Sequence, residues 1–187
     1  LQSTYPALSV RGIVGDFNRD LDRLGTGDHR LVLFLAGTIG NFTREQAAGF
    51  LAAVRAQLQP SDALLLGVDL VKDPARLEAA YNDAQGVTAT FNQNMLSVLN
   101  TRFGGNFDPS QWAHVARYDQ QLERIEMRLR ARSSRDVVVD GRSYHFDKGA
   151  EILTEISCKY SKESLRHTLM GTDLAMDGWW TDADKDF

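Results

Sequence analysis

Three short stretches of the chain carry residue types at spacings that suit small-molecule chemistry. Gly37-Thr38-Ile39-Gly40-Asn41 sets two glycines beside polar side chains just ahead of Thr43-Arg44-Glu45-Gln46, a capping box with Thr43 at the N-cap and Gln46 at N3. Such a loop lets a ligand approach the backbone closely and presents free N–H groups to a carboxylate or phosphate. It lacks the Gly-Lys-Ser/Thr ending of a Walker A loop and the third glycine of the dinucleotide fingerprint. A plain tight turn, with Asn41 near the left-handed region, is the other reading. Gly15-Asp16-Phe17 places a carboxylate before an aromatic ring, which suits an adenine: Asp16 accepting from the exocyclic amine and Phe17 lying on the ring. Equally, Asp16 can cap the next segment while Phe17 joins the core. In Glu151 to Tyr160, residues two apart share one strand face, so Glu155 and Ser157 converge while Thr154, Ile156 and Cys158 point away. The alternative is a solvated face with Leu153 and Lys159 in the same row.

These residues need a scaffold, and the hydrophobic pattern supplies one. Arg30 to Ala36 and Ala63 to Leu70 are nearly continuous apolar runs of strand length, as expected of parallel strands buried on both faces. Between them Ala47, Phe50, Leu51, Val54 and Leu58 fall on one helical face that ends at Pro60. Strand, capped helix and strand make a βαβ unit with adjacent parallel strands. Ser9 to Phe17 reads as a further short strand. Beyond Leu70 the pattern changes. Asp73-Pro74 opens a helix carrying Leu77, Tyr81 and Ala84, a second runs around Phe91 to Leu99, and Gly104-Gly105 closes it. From Trp112 to Tyr160 the period is two, with Asp140-Gly141 as a hairpin turn, which predicts an antiparallel, half-exposed sheet. Ser161 caps a last helix through Leu165 and Leu169 that stops near Gly171, and Met176 to Trp180 reads as the start of another strand. In open α/β sheets ligands bind at the carboxyl ends of parallel strands, here Gly15-Asp16-Phe17, Gly37 to Asn41, and Asp69.

Composition narrows the partner. A net charge of -4 argues against nucleic acid and anionic membrane surfaces, and no apolar run approaches the roughly 18 residues of a membrane span. One cysteine, Cys158, excludes an internal disulfide and a multi-thiolate metal site and points to the cytoplasm. The residues at the start, Leu1-Gln2-Ser3-Thr4, show neither a basic nor an apolar targeting region. The four histidines lack ligand spacing, so no metal is expected. A small molecule bound by a monomer is the expected partner.

A set of ordered strings extends this reading. Phe34 to Thr43 (FLAGTIGNFT), Leu66 to Asp73 (LGVDLVKD), Ala80 to Asp83 (AYND), Gly86 to Ala89 (GVTA), Glu123 to Met127 (ERIEM), Thr154 to Lys159 (TEISCK) and Trp179 to Asp182 (WWTD) together resemble the histidine-specific Nα-methyltransferase family across essentially the whole chain. The resemblance implies an α/β fold: a class I, Rossmann-like methyltransferase sheet in residues 1–70 and 160–187, its N-terminal half missing, with an inserted α+β substrate-binding domain in residues 71–159. It implies S-adenosyl-L-methionine as cofactor, held by Asp16, Phe17 and Gly37, and L-histidine as substrate, held by Asn41, Tyr81, Thr88, Met127, Glu155 and Ser157. Asn41 and Tyr81 match positions at the substrate carboxylate and amine, Glu155 and Ser157 the imidazole pair, and Thr88 and Met127 the pocket lining. Where the family reads Gly-Ser-Thr, this chain has Ala36-Gly37-Thr38. The glycine-rich first cofactor loop and the acid for the ribose hydroxyls are expected upstream of Leu1, and a final strand after Phe187.

The implied reaction is trimethylation of the α-amine of histidine to hercynine, for ergothioneine biosynthesis. Transfer from a sulfonium to an amine is an in-line displacement, so the protein chiefly aligns the reactants and excludes water. Tyr81 or a water would assist loss of the amine proton. A carboxylate at Glu155 and a hydroxyl at Ser157 match the donor and acceptor of an imidazole. Two competing readings remain: a methyltransferase for another amino acid or small amine, and a non-catalytic amino-acid-binding module.

Overall fold

The computed structural model describes residues 4–187. Strands β1 (Leu31–Phe34) and β2 (Ala63–Leu66) pair in parallel, Leu31 opposite Ala63 and Phe34 opposite Leu66, as the βαβ pattern predicts. Helix α1 (Arg44–Arg55) connects them, and its capping box forms as read: Thr43 Oγ1 accepts from Gln46 N, and the Gln46 side chain accepts from Thr43 N. Its apolar stripe, Ala47, Phe50, Leu51 and Val54, is buried against Ile39, Val68, Leu70 and Tyr160, with Val32, Phe34, Leu64 and Leu66 of the strands packed alongside. Full burial of a leucine, valine or phenylalanine of this stripe contributes about 1.5–3 kcal/mol. The opposite face of this parallel pair is exposed at Leu31, Leu33, Leu35 and Leu65.

The two strands are pinned at their entry by one ion pair. Arg30 donates to Asp62 Oδ2 from Nε at 3.0 Å and Nη2 at 2.6 Å, while Arg30 N and Gln59 N each donate to the same carboxylate at 2.7 Å. The Arg30 side chain and these amides hold the Asp62 carboxyl at about 2, below the ordinary 3.8. A depressed carboxyl contributes stability that is complete above its unfolded value and disappears as pH falls through the folded one. Thermal unfolding of the intact protein should therefore show an acid limb between about pH 4 and 2 that is shallower in Asp62→Asn. Parallel melting-temperature profiles would contradict this.

The next layer matches the change of pattern past Leu70. Helix α2 (Pro74–Tyr81) is capped by Asp73, and α3 (Val87–Phe103) ends on Gly104 at φ 59°. Strands β3 (Trp112–Asp119), β4 (Arg124–Ala131) and β7 (Glu151–Cys158) form an antiparallel sheet in the order β3-β4-β7. Ile125 and Leu129 are fully buried under α2 and α3. On its other face Glu126 is also buried, bridged by Arg124 and Arg128, so the polar row is less solvated than its alternation predicts. Strands β5 (Arg135–Val139) and β6 (Arg142–Phe146) make the expected hairpin. Asp140 and Gly141 both take the left-handed φ that a two-residue turn requires. The chain returns to the first layer where Tyr160 bridges Leu70 in parallel, and Ser161 then caps α4 (Lys162–Leu169).

Two expected strands do not form. Residues 9–17 run exposed and irregular until a turn at Asp16 and pair with no strand among the described residues, and β propensity alone does not hold an unpaired strand. Residues 176–180 are likewise irregular. The fold is a mixed α/β arrangement of one small parallel sheet and two antiparallel ones. No helix of the described residues is long and apolar enough to cross a membrane.

Candidate active site

The carboxyl ends of β1 and β2 face β7 across an open cavity of about 490 Å³. The first wall is residues 36–41. Ala36 and Gly37 both take positive φ (60° and 67°), turning the chain sharply out of β1 into a 3-10 turn at Thr38–Asn41 that presents the Asn41 side chain to the cavity. Gly40 lets this turn press onto β7: a Cβ there would sit 2.9 Å from Cys158 O and 3.4 Å from Ser157 Oγ. Gly40→Ala should thus cost at least about 1 kcal/mol of stability, since the added methyl meets backbone rather than a flexible tip. An unchanged unfolding midpoint would show that the two segments are not held this closely.

The second wall is the end of α2. Asn82 donates to Ala116 O at 2.9 Å and accepts from Ala116 N at 3.3 Å, and the His114 ring lies 2.9 Å from Tyr81 O and 2.9 Å from the Asn92 amide. These contacts fasten the last turn of α2 to β3 and aim Tyr81 at the cavity. The histidine is structural, in keeping with the sequence reading.

The third wall is β7, where Glu155 and Ser157 do share a face. A register shift between Met127 and Arg128 leaves Thr154 as an extra residue, its hydroxyl donating to Met127 O at 2.8 Å. Such a bulge re-aims the side chains beside it. Burial pushes the Glu155 carboxyl above its ordinary range. Among the described residues it has neither a hydrogen-bond nor an ion-pair partner, so its acceptor capacity faces the cavity unused.

Beneath these walls lies a group that the alternative reading of β7 places on a solvated face. Lys159 is wholly buried (0 % exposed), and its ammonium donates to Asp69 Oδ2, to Tyr81 Oη at 2.9 Å and to Ser157 Oγ at 2.9 Å. Lys72 also donates to Asp69, at 2.8 Å. Burial alone would raise the Asp69 carboxyl, but Lys159 and Lys72 outweigh it and hold the group below the ordinary range. The period of two from Glu155 through Ser157 to Lys159 was the available signal.

The structure thus brings Gly37, Asn41, Tyr81, Glu155 and Ser157 to one cavity, with Asp69 and Lys72. It does not bring Thr88, Met127, Asp16 or Phe17 to that lining. Thr88 sits in the first turn of α3, where Asp83 accepts from its N–H at 2.8 Å, and Met127 is buried opposite Glu155 on β4. Asp16 accepts from Asn18 N in an exposed turn. Phe17 packs edge-on to Phe34, Phe42 and Phe50 yet stays 46 % exposed. No group of three or more His, Cys, Asp or Glu side chains among the described residues is placed to hold a metal ion.

A parallel strand pair whose carboxyl ends open onto a polar cavity closed by an antiparallel sheet is the setting in which the whole chain matches one family. Residues 1–187 match the model of the histidine-specific, SAM-dependent methyltransferases, and the chain belongs to that family. It is 44% identical over 185 residues to histidine N-alpha-methyltransferase of Mycolicibacterium smegmatis, covering 98% of this chain and 58% of that protein. To the enzyme of the same name from Mycobacterium tuberculosis it is 43% identical, over 100% of this chain and 59% of the other. Ergothioneine biosynthesis protein 1 of Schizosaccharomyces pombe is 31% identical over 93% of this chain and 23% of its own length. The chain therefore spans less than two thirds of these relatives.

Proposed function

We propose that the protein to which this chain belongs methylates the α-amine of L-histidine, three times, to give hercynine for ergothioneine biosynthesis, with S-adenosyl-L-methionine as methyl donor. The observation that carries this reading is the convergence of Asn41, Tyr81, Glu155 and Ser157 on one cavity from segments far apart in sequence. Glu155 accepts from one imidazole nitrogen, Ser157 serves the other, Asn41 donates to the substrate carboxylate, and Tyr81 lies toward the amine. The mycobacterial relatives' name, histidine N-alpha-methyltransferase, supports the same substrate.

The family's description as SAM-dependent supports the cofactor, which when bound would supply an electrophilic methyl on a sulfonium. Gly37 lines the cavity at a φ of 67° that favours glycine, which suits close approach by the cofactor's methionine end. Exposed Asp16 keeps acceptor lone pairs, and the ring of Phe17 is 46 % exposed beside its aromatic neighbours, which suits an adenine. This chain's own part in the transfer is positional: the walls hold the amine in line, and Asn41 and Tyr81 fix its orientation. On this reading residues 1–70 and 160–187 form part of a class I, Rossmann-like domain and residues 71–159 an insertion that carries the substrate pocket, in a monomeric cytoplasmic enzyme. The β1-β2 pair and the return at Tyr160 support that division.

The test is to incubate the full-length protein with S-adenosyl-L-methionine and each common amino acid, and to identify methylated products by mass spectrometry. Hercynine from histidine is the expected product. Methylation of another amino acid with none of histidine would sink the substrate assignment.

A further inference from the structure

The Lys159 ammonium has three protons and three acceptors. One is the Asp69 carboxylate, and the other two are the hydroxyl oxygens of Tyr81 and Ser157, themselves 2.9 Å apart. An ammonium cannot accept, so neither hydroxyl can send its proton back to Lys159. Lys159 fills the in-plane acceptor lone pair of the Tyr81 oxygen, so the phenol donates to Ser157 Oγ rather than accepting from it, which leaves the Ser157 proton without an acceptor inside the triangle and with the cavity on its open side. We infer that Lys159 is a positioning residue for substrate selection: by donating to both hydroxyls it fixes the Ser157 O–H outward, making Ser157 a hydrogen-bond donor to the acceptor nitrogen of the substrate's ring.

The inference rests on the histidine reading and sharpens it. Glu155 takes the ring N–H, while Ser157, locked as a donor, takes the bare nitrogen. The pocket then asks for a neutral ring with one N–H and one unprotonated nitrogen in a set order. Without the cation, the Ser157 hydroxyl can turn its proton toward Tyr81 and meet the substrate as an acceptor, so the demand for a bare ring nitrogen weakens. Asp69 keeps Lys72 as a partner, so removing the Lys159 charge does not leave that carboxylate unpaired.

The experiment measures dissociation constants, by calorimetry on the full-length protein with S-adenosylhomocysteine present. The ligands are histidine and the two pyrrolylalanine isomers, each keeping one ring N–H and lacking the second nitrogen. Wild type should prefer histidine to the tighter isomer at least about tenfold, because Ser157 is left unpaired by pyrrole. In Lys159→Met the preference should fall to roughly threefold or less. Tyr81→Phe keeps the cation on Ser157, so it should lower affinity for histidine and pyrrole together and hold the wild-type ratio within about twofold. That variant decides the matter if Lys159→Met does not fold.

An unchanged ratio in Lys159→Met, a collapsed ratio in Tyr81→Phe, or a wild type that binds histidine and pyrrole equally would each overturn the inference while leaving histidine as substrate. A wild type that binds no histidine removes the substrate reading and this inference with it.

Discussion

Replacing Glu155 by alanine in the full-length protein is expected to cut kcat/KM for histidine at least about tenfold, equivalent to roughly 1.4 kcal/mol, and to narrow the gap between histidine and phenylalanine. All α-amino acids offer the same amine and carboxylate, so discrimination must come from the side chain. Glu155 lines the cavity, is raised by burial, and among the described residues has no partner of its own. A half-buried carboxylate in that state is costly until a donor reaches it, and an imidazole N–H is such a donor where a phenyl ring is not. Removing the carboxylate therefore penalises histidine and relieves phenylalanine. The measurement is kcat/KM for both amino acids in wild type and variant. Should both fall by one factor with their ratio intact, Glu155 is structural and the ring is read elsewhere.

Asn41→Ala should raise KM for histidine by the loss of one hydrogen bond to a charged group, about 1.5 to 3 kcal/mol or roughly tenfold or more, with little change in the KM for S-adenosyl-L-methionine. Asn41 ends the 3-10 turn after β1, has its side chain at the cavity, and among the described residues that side chain makes no hydrogen bond within the protein. Its amide is thus available to a substrate carboxylate. The backbone that carries it is held by Gly40 against β7 and does not depend on the Asn41 side chain, so the variant tests the contact rather than the fold. Equal losses for both substrates would place Asn41 at the cofactor.

Much of the scaffold was legible because local rules fix it. The capping box at Thr43, the cap at Ser161, the Asp73-Pro74 start and the Asp140-Gly141 turn form as read, since each is a contact between residues a few positions apart. The adjacency of β1 and β2 was legible for a related reason, a crossover short enough to leave one geometry. Ser9 to Phe17 failed because a strand needs a partner, and its apolar residues carry no record of whether one is near. Within the site, Glu155 and Ser157 were visible through their period of two. Lys159, in the same row, was misplaced because a lysine at a strand end is ordinarily solvated. Its burial depends on Asp69 and Tyr81, 90 and 78 residues away, and no local pattern encodes that meeting. The bulge at Thr154 was invisible for the same reason.

The cavity's walls come from segments that the chain must bring together over long stretches: Tyr81 meets Ser157 across 76 residues, and Lys159 meets Asp69 across 90. Closing loops of that length costs entropy that only completed tertiary contacts offset, whereas α1, α3 and the β5-β6 hairpin close locally and early. By sequence separation the pocket is therefore expected among the last parts of the structure to consolidate in folding. Whatever occupies it bridges those late segments and favours the folded state by mass action, about 2.7 kcal/mol at a hundredfold excess over its dissociation constant. A ligand of this cavity is thereby coupled to the protein's maturation: where it is scarce, less of the chain would stand in its finished form.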